Sequence, residues 1–264
     1  MRYRSIFLLI VVSLALVTGC GTPYYVIHPD SAIVTAVDGP AQHRTPTYRI
    51  RMMVIGGSVA HGWKAQNNDG YLQRAVKGYA EFTSGRIAYY DRTIVGADGT
   101  LMATQYKGDY EKWMTSIRPN VVLISWGLLD DASAHIAVAQ FERFLAIEVQ
   151  EALRAHAVVL IVTPPVTEAS YTQYRVVQPQ YIRSEFALVR HLHSQDVHLL
   201  DVFDAMKRYL LVHHQTVQMY AGDGWHPNTL GHILAGRILL HEMQKTLGRR
   251  RWYEFTTPTV TKSR

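Results

Sequence analysis

The sequence contains one cysteine, Cys20. A lone cysteine excludes an internal disulfide framework and a thiolate metal site, and its place at the end of the N-terminal apolar run excludes a thiol nucleophile. Charge of one sign is also scarce. The chain carries 27 basic and 21 acidic side chains, a formal net charge of +6. Part of that excess sits in Arg249-Arg250-Arg251 and from Lys262 to Arg264, which reads as a solvated basic tail, so no nucleic-acid partner is expected. A His-Glu-x-x-His pattern is absent. His191, His193, His213, His214 and His232 have no carboxylate at ligand spacing, so they read as surface or partly buried histidines and no metal site is expected. Repeats and low-complexity blocks are missing as well. What remains is a composition with 48% hydrophobic and 11% aromatic residues, enough for a real core, in a length of 264 that suits one α/β domain.

Arg2 and Arg4 precede the apolar runs Ile6–Val12 and Leu14–Val17, and small residues follow. That is the layout of a secretion signal, too short for a membrane span of about 20 residues. The ending Leu16-Val17-Thr18-Gly19-Cys20 resembles a bacterial lipobox. The resemblance implies cleavage before Cys20 and a lipid on its thiol; an ordinary signal with a chance cysteine is the other reading. The expected organisation is a signal peptide at 1–19, a lipid-anchored tether at 20–48, a catalytic domain at 49–247 and a basic tail at 248–264. The tether follows from Pro23, Pro29, Gly39, Pro40 and Pro46 without sustained periodicity. The expected location is the outer face of a bacterial cell membrane.

From Tyr48 onward, short apolar runs alternate with segments of helical period. The runs at Ile50–Ile55, Ile87–Tyr90, Val121–Ser125, Val158–Val162 and Val197–Leu200 predict strands. Helices are predicted over Gly70–Glu81, Leu101–Ile117, Ile136–His156, Tyr181–Ser194, Val202–Val212 and Leu230–Leu247. Strict alternation predicts a three-layer α/β/α sandwich with a parallel, flavodoxin-like sheet of about five strands, whose sites gather at the carboxyl ends of the strands.

Four loops carry unusual residues. Gly56-Gly57-Ser58-Val59-Ala60-His61-Gly62 follows the first strand. A serine on a tight glycine turn projects its hydroxyl out of the sheet, although the same residues also suit a plain βα turn or helix cap. It is not a Gly-x-Ser-x-Gly elbow, since Ala60 stands where the second glycine belongs. Gly222-Asp223-Gly224-Trp225-His226-Pro227-Asn228 precedes the last helix. There Asp223 lies close enough in sequence to orient the His226 imidazole, while the bland alternative makes these residues a helix-flanking turn capped by Asn228. Val95 to Thr100 and Trp126 to Asp131 follow the second and third strands and offer backbone N–H groups and polar side chains for an oxyanion hole. Tyr171, Tyr174 and Tyr181, with Trp225, could wall a sugar or acyl group or simply pack. His61, three residues after Ser58, is a poor base if its helix points it outward.

In order and content these blocks resemble the SGNH (GDSL-like) hydrolases over most of residues 50–247. Ser58 and Gly62 match the Gly-Asp-Ser-x-x-x-Gly block with Gly57 in place of the aspartate, Gly99 matches the second-block glycine, and Asp223 and His226 match the closing Asp-x-x-His block. The third block, Gly-x-Asn-Asp, departs: a gapless reading puts Leu129 at the asparagine's place, whereas one extra residue puts Asp130 there with Asp131 behind it. The resemblance implies a serine esterase without a cofactor, in which Ser58 attacks, His226 is the base and Asp223 orients it. Ser58, Gly99 and Asp130 would form the oxyanion site. The expected substrate is an acylated envelope glycan or a small ester; a non-catalytic, glycan-binding lipoprotein is the alternative, favoured by the altered third block.

Overall fold

The computed structural model describes residues 25–28, 31–36, 50–83 and 86–248. Cys20, the stretch read as a signal peptide and the basic tail beyond Gly248 lie outside them. In chain order the elements are β1 (Tyr25–His28), β2 (Ser31–Ala36), β3 (Ile50–Gly56), α1 (Ser58–His61), α2 (Tyr71–Thr83), β4 (Ile87–Asp91), α3 (Gly99–Ala103) and α4 (Lys107–Ile117). They continue as β5 (Val121–Ser125), α5 (Leu129–Ser133), α6 (Val138–Arg154), β6 (Val158–Val162), α7 (Gln178–Leu192), β7 (Val197–Leu200), α8 (Val202–Val212) and α9 (Thr229–Leu247).

Five strands pair in parallel in the order β4-β3-β5-β6-β7. Counted among themselves that is second-first-third-fourth-fifth, the flavodoxin-like order read from the alternation. β5 and β6 are buried at every position, which is why Val-Val-Leu-Ile-Ser and Val-Val-Leu-Ile-Val carry no polar alternation. One helical layer comprises α2, α8 and α9 and the other α3, α4, α6 and α7. The order of the strands reverses between β3 and β5, so the β3–α1 turn opens at the switch point, where this topology leaves a crevice.

The structure departs from the sequence reading in three places. β1 and β2 lie within the stretch read as a tether: β1 runs parallel to β4, and β2 antiparallel to β1. The residues explain it, since Val26-Ile27 and Ile33-Val34-Thr35 are β-branched runs flanking the turn-prone dipeptide Pro29-Asp30. The single helix predicted over Leu101–Ile117 is two helices. It begins earlier, at Gly99, because Asp98 caps it by accepting from the Leu101 N–H. It breaks because the Tyr106 amide reaches back to Leu101 O and the Thr104 hydroxyl takes up Thr100 O, so the regular ladder stops. The one-turn helices α1 and α5 are too short to register as a period of 3.6. Among the described residues no helix is long and apolar enough to cross a membrane.

Candidate active site

α1 starts directly at the end of β3, with Gly57 as its N-cap and Ser58 as its first residue. The first amides of a helix have no partner inside it, so the Ser58 N–H is left for the rim. The turn closes at Gly62, whose φ of 87° lies in the left-handed region and whose added Cβ would come within 2.7 Å of Gly70. At the opposite end of the chain, Asn228 caps α9 by accepting from Gly231 N–H and donates its amide to Met219 O and Ala221 O. An isolated bridge joins Ala221 to Pro227, and the Gly222 amide donates to His226 O. The Asp223–His226 loop is thereby held as a small hairpin. Both readings of Asn228 and His226 are realised together: one is the helix cap, the other faces the serine.

The Ser58 hydroxyl lies 2.9 Å from His226 Nε2, although 168 positions separate them. The other ring nitrogen, Nδ1, is 2.9 Å and 3.1 Å from the two carboxylate oxygens of Asp223. Asp223 is also fixed by the backbone: its Oδ1 accepts from the N–H groups of Trp225 and His226, each at 2.8 Å. Partial burial works against ionisation of Asp223, but the Trp225 amide and then the His226 ring and amide outweigh it and hold the carboxyl below its ordinary range. This is the polarity needed to orient an imidazole and stabilise an imidazolium.

Such a serine–histidine–aspartate chain on a flavodoxin-like rim is accompanied by a match of residues 54–234 to the GDSL-like lipase/acylhydrolase family, more than half of the 264 residues. The chain belongs to that family. Solved structures with the same fold include an acetylxylan esterase from Geobacillus stearothermophilus, with 16% identity and a TM-score of 0.59 over 76% of this chain and 95% of that one. A psychrotrophic esterase from Pseudoalteromonas sp. is similar at 17% identity and a TM-score of 0.55, over 75% and 98% of the two chains. A two-domain esterase active on acetylated mannans matches at 16% identity and a TM-score of 0.59, over 75% of this chain and 50% of that one. No curated protein matches.

Against the SGNH pattern, the third block is where this chain is unusual. Leu128 sits in the left-handed region at φ 64° and is fully buried, a conformation costing about 1–2 kcal/mol for a residue with a Cβ. Leu129 behind it belongs to the hydrophobic core at 2% exposure. Asp130 is the polar side chain that reaches the Ser58 turn: a Cβ added to Gly57 would lie 3.7 Å from its Oδ2 and 2.8 Å from Ala97 O. The space into which the family's first-block aspartate would extend is therefore constricted by a backbone carbonyl and faces a carboxyl from the third block. Burial is the main cause that raises the Asp130 pKa; Asp98 adds to it, and His226 opposes it.

Asp131 turns the other way, into the interior, at 1% exposure. Burial and then Asp98 push its pKa up to about 7. The Gly99 amide leans toward this carboxyl and lowers its pKa somewhat, yet the contact falls short of hydrogen-bond geometry and both carboxyl oxygens are left without a partner. Gly99, expected as an oxyanion donor, thus shares its amide direction with Asp131. Its Cα also lies against Phe141 and Trp126, where an added Cβ would approach within 3.1 Å and 3.3 Å. The buried Asp131 makes a stability prediction. Its protonated form is fully favourable below pH 3.8, and that contribution is lost progressively as pH rises, completely so once pH exceeds about 7. Asp131→Asn is expected to reduce the fall of unfolding free energy across this window by up to about 1.4 kcal/mol per pH unit, measured by urea denaturation at several pH values; an unchanged slope would remove Asp131 as its source.

The remaining candidates separate cleanly. His61 is turned toward Thr93 and Asp91, with Nδ1 at 3.0 Å from the Thr93 hydroxyl and 3.3 Å from Asp91 Oδ2, while Ser58 is bonded to His226. His232 is fully buried and structural: it accepts from Tyr71 N–H, donates to Trp63 O, and burial brings its pKa down to about 4. His191, His193, His213 and His214 are exposed. Tyr181 does not belong to an aromatic wall. It is buried edge-on against Phe141 and its hydroxyl donates to Ile136 O, because α7 turns that face onto α6. Tyr174 does meet Trp225, edge to face at 5.5 Å, and Ala169 N–H donates to Gly224 O, so the loop after β6 braces the histidine loop. Lys64, which no motif singles out, places its ammonium 3.8 Å from Asp223 Oδ2. Its signal was only its position two residues after the block glycine.

Proposed function

We propose that this chain is an exported, lipid-anchored serine esterase that removes O-acetyl or other acyl groups from a cell-envelope glycan or a small ester. The observation that carries the reading is the continuous path from the Ser58 hydroxyl through both nitrogens of His226 to Asp223. In this reading Ser58 Oγ attacks the ester carbonyl while His226 Nε2 takes its proton, and Asp223 stabilises the imidazolium through Nδ1–H. The tetrahedral oxyanion forms against the Ser58 N–H, with the Gly99 N–H as second donor once it turns from the Asp131 carboxyl to the rim. Collapse expels the alcohol, protonated by His226, and leaves an acyl-Ser58. Water, deprotonated by His226, then releases the carboxylic acid and restores the serine. Every proton is moved by these side chains, so the reaction needs no cofactor.

Esterases acting on acetylated xylan and mannan share the fold, which supports an acylated glycan as substrate class. Labelling of the purified protein by a fluorophosphonate, mapped to Ser58, tests the nucleophile. One observation favours the second reading, a glycan-binding protein without turnover: the third-block polar side chain that reaches the Gly57–Ser58 turn, Asp130, is a carboxyl and not an amide. The anchor rests on the lipobox alone. Cys20→Ala is expected to shift the protein from the detergent-rich phase and membrane fraction to the soluble fraction or to block its export. A variant that partitions like the parent would refute the anchor.

A further inference from the structure

On the side of the molecule formed by α8, a cavity of about 490 Å³ opens between that helix, the 3-10 turn Val217–Tyr220 and the loop after β6. Six of its lining side chains carry hydrogen-bond donors, the cations Lys207 and Arg208, the amides Gln215 and Gln218, and the hydroxyls of Tyr171 and Thr216. None of its lining residues is acidic, and neither Lys207 nor Arg208 has an ion-pair partner among the described residues. Gln215 uses its carbonyl oxygen to accept from Tyr220 OH, which directs its remaining capacity to donation. Apolar surface comes from the partly exposed Tyr171 ring, which Lys207 overhangs at 5.6 Å, and from Leu211, 76% exposed. Arg208 also attracts Asp201 at the start of α8, but no carboxylate lines the cavity itself, and two cations, amide donors and a flat ring call for an occupant that is negatively charged, rich in acceptors and has an apolar face.

Both walls of this cavity lead to the catalytic loop. The turn carrying Gln218 runs into the Ala221–Pro227 bridge around Asp223, and the loop carrying Tyr171 is bonded through Ala169 to Gly224. We propose that this cavity is a subsite for an acidic sugar unit, a pyranose bearing a carboxylate, of a glycan whose acylated neighbour is presented to Ser58. The carboxylate would be held by Lys207 and Arg208, the hydroxyls by Gln215 and Gln218, and the C–H face by Tyr171. The link to ester cleavage rests on the esterase reading; the binding itself does not.

The test is calorimetric titration of the full chain carrying Ser58→Ala, so that turnover plays no part, with tetragalacturonate and with xylotetraose at low salt. Tetragalacturonate is expected to bind at least about tenfold more tightly, with affinity falling as salt rises. Lys207→Gln with Arg208→Gln is expected to weaken it by about tenfold or more, while the charge-matched pair Lys112→Gln with Lys245→Gln, both exposed elsewhere, changes it by less than about twofold. Equal affinity for the neutral tetrasaccharide overturns the proposal, as does an equal loss in both variant pairs. So does binding of phosphatidylglycerol vesicles, lost in the Lys207/Arg208 pair, without binding of tetragalacturonate; that result would make the surface a lipid contact. Loss of esterase activity in the parent, with tetragalacturonate binding retained, would refute the esterase reading and leave the subsite standing.

Discussion

Ser58→Ala is expected to lower turnover of an activated acetyl ester by about 10⁴-fold or more and to abolish fluorophosphonate labelling. The size of the effect follows from the geometry. In the proposed mechanism the hydroxyl bonded at 2.9 Å to His226 Nε2 forms the acyl-enzyme, and neither His226 nor Asp223 replaces it in that covalent role. The substitution removes one oxygen from a side chain at 6% exposure and leaves α1 a good helix former, so the fold should persist, and an unchanged circular dichroism spectrum would show that loss of rate is not loss of structure. Hydrolysis that continues at the parental rate in Ser58→Ala would sink the serine mechanism. A parent protein that neither turns over acetyl or longer acyl esters nor accepts the label would leave the binding-protein reading in its place.

Asp130→Asn is expected to move the rate upward, by as much as about 10²-fold, the size of one missing oxyanion donor. An ionised carboxyl beside the serine turn repels the charge that builds on the tetrahedral intermediate and offers it no hydrogen. The amide donates and carries no charge. The gain shrinks to the extent that Asp130 is already neutral, which is the direction in which burial drives it. That dependence makes a second readout available: the ratio of variant to parent rates should grow with pH as the parental carboxyl ionises. Leu129→Asn serves as the comparison. Leu129 packs in the core at 2% exposure, so burying an amide there should cost stability without adding a donor at the rim. A rate increase in Leu129→Asn and none in Asp130→Asn would reverse this assignment.

The legibility of the molecule from its sequence differed by element, and the differences have causes. β5, β6, β7 and α8 were found with the bounds the structure has: β5 and β6 because a strand buried on both faces must be a continuous apolar run, β7 as a short, largely apolar run around His198, and α8 because an amphipathic helix must repeat every 3.6 residues. α1 and α5 left no such trace, being single turns set by loop geometry. Tyr181 packs, one of the two readings that its sequence left open, since an aromatic looks the same in sequence whether it faces Phe141 or solvent.

The sequence by itself determined the alternation of strands and helices, the parallel sheet, and the residue types of the triad, all of which depend on local period and side-chain chemistry. Only the tertiary structure decided what depends on bringing distant segments together: that Ser58 meets His226, 168 positions away, rather than His61, and that Asp130 faces Gly57 while Leu129 and Asp131 turn inward. It also decided that the Gly99 amide leans toward the Asp131 carboxyl, and that Lys207 and Arg208 meet Tyr171 in a cavity that no carboxylate lines. Such contacts are set by how twisted strands and packed helices orient their loops. A one-residue change of phase in a short turn redirects a side chain from core to rim, and no local pattern records it.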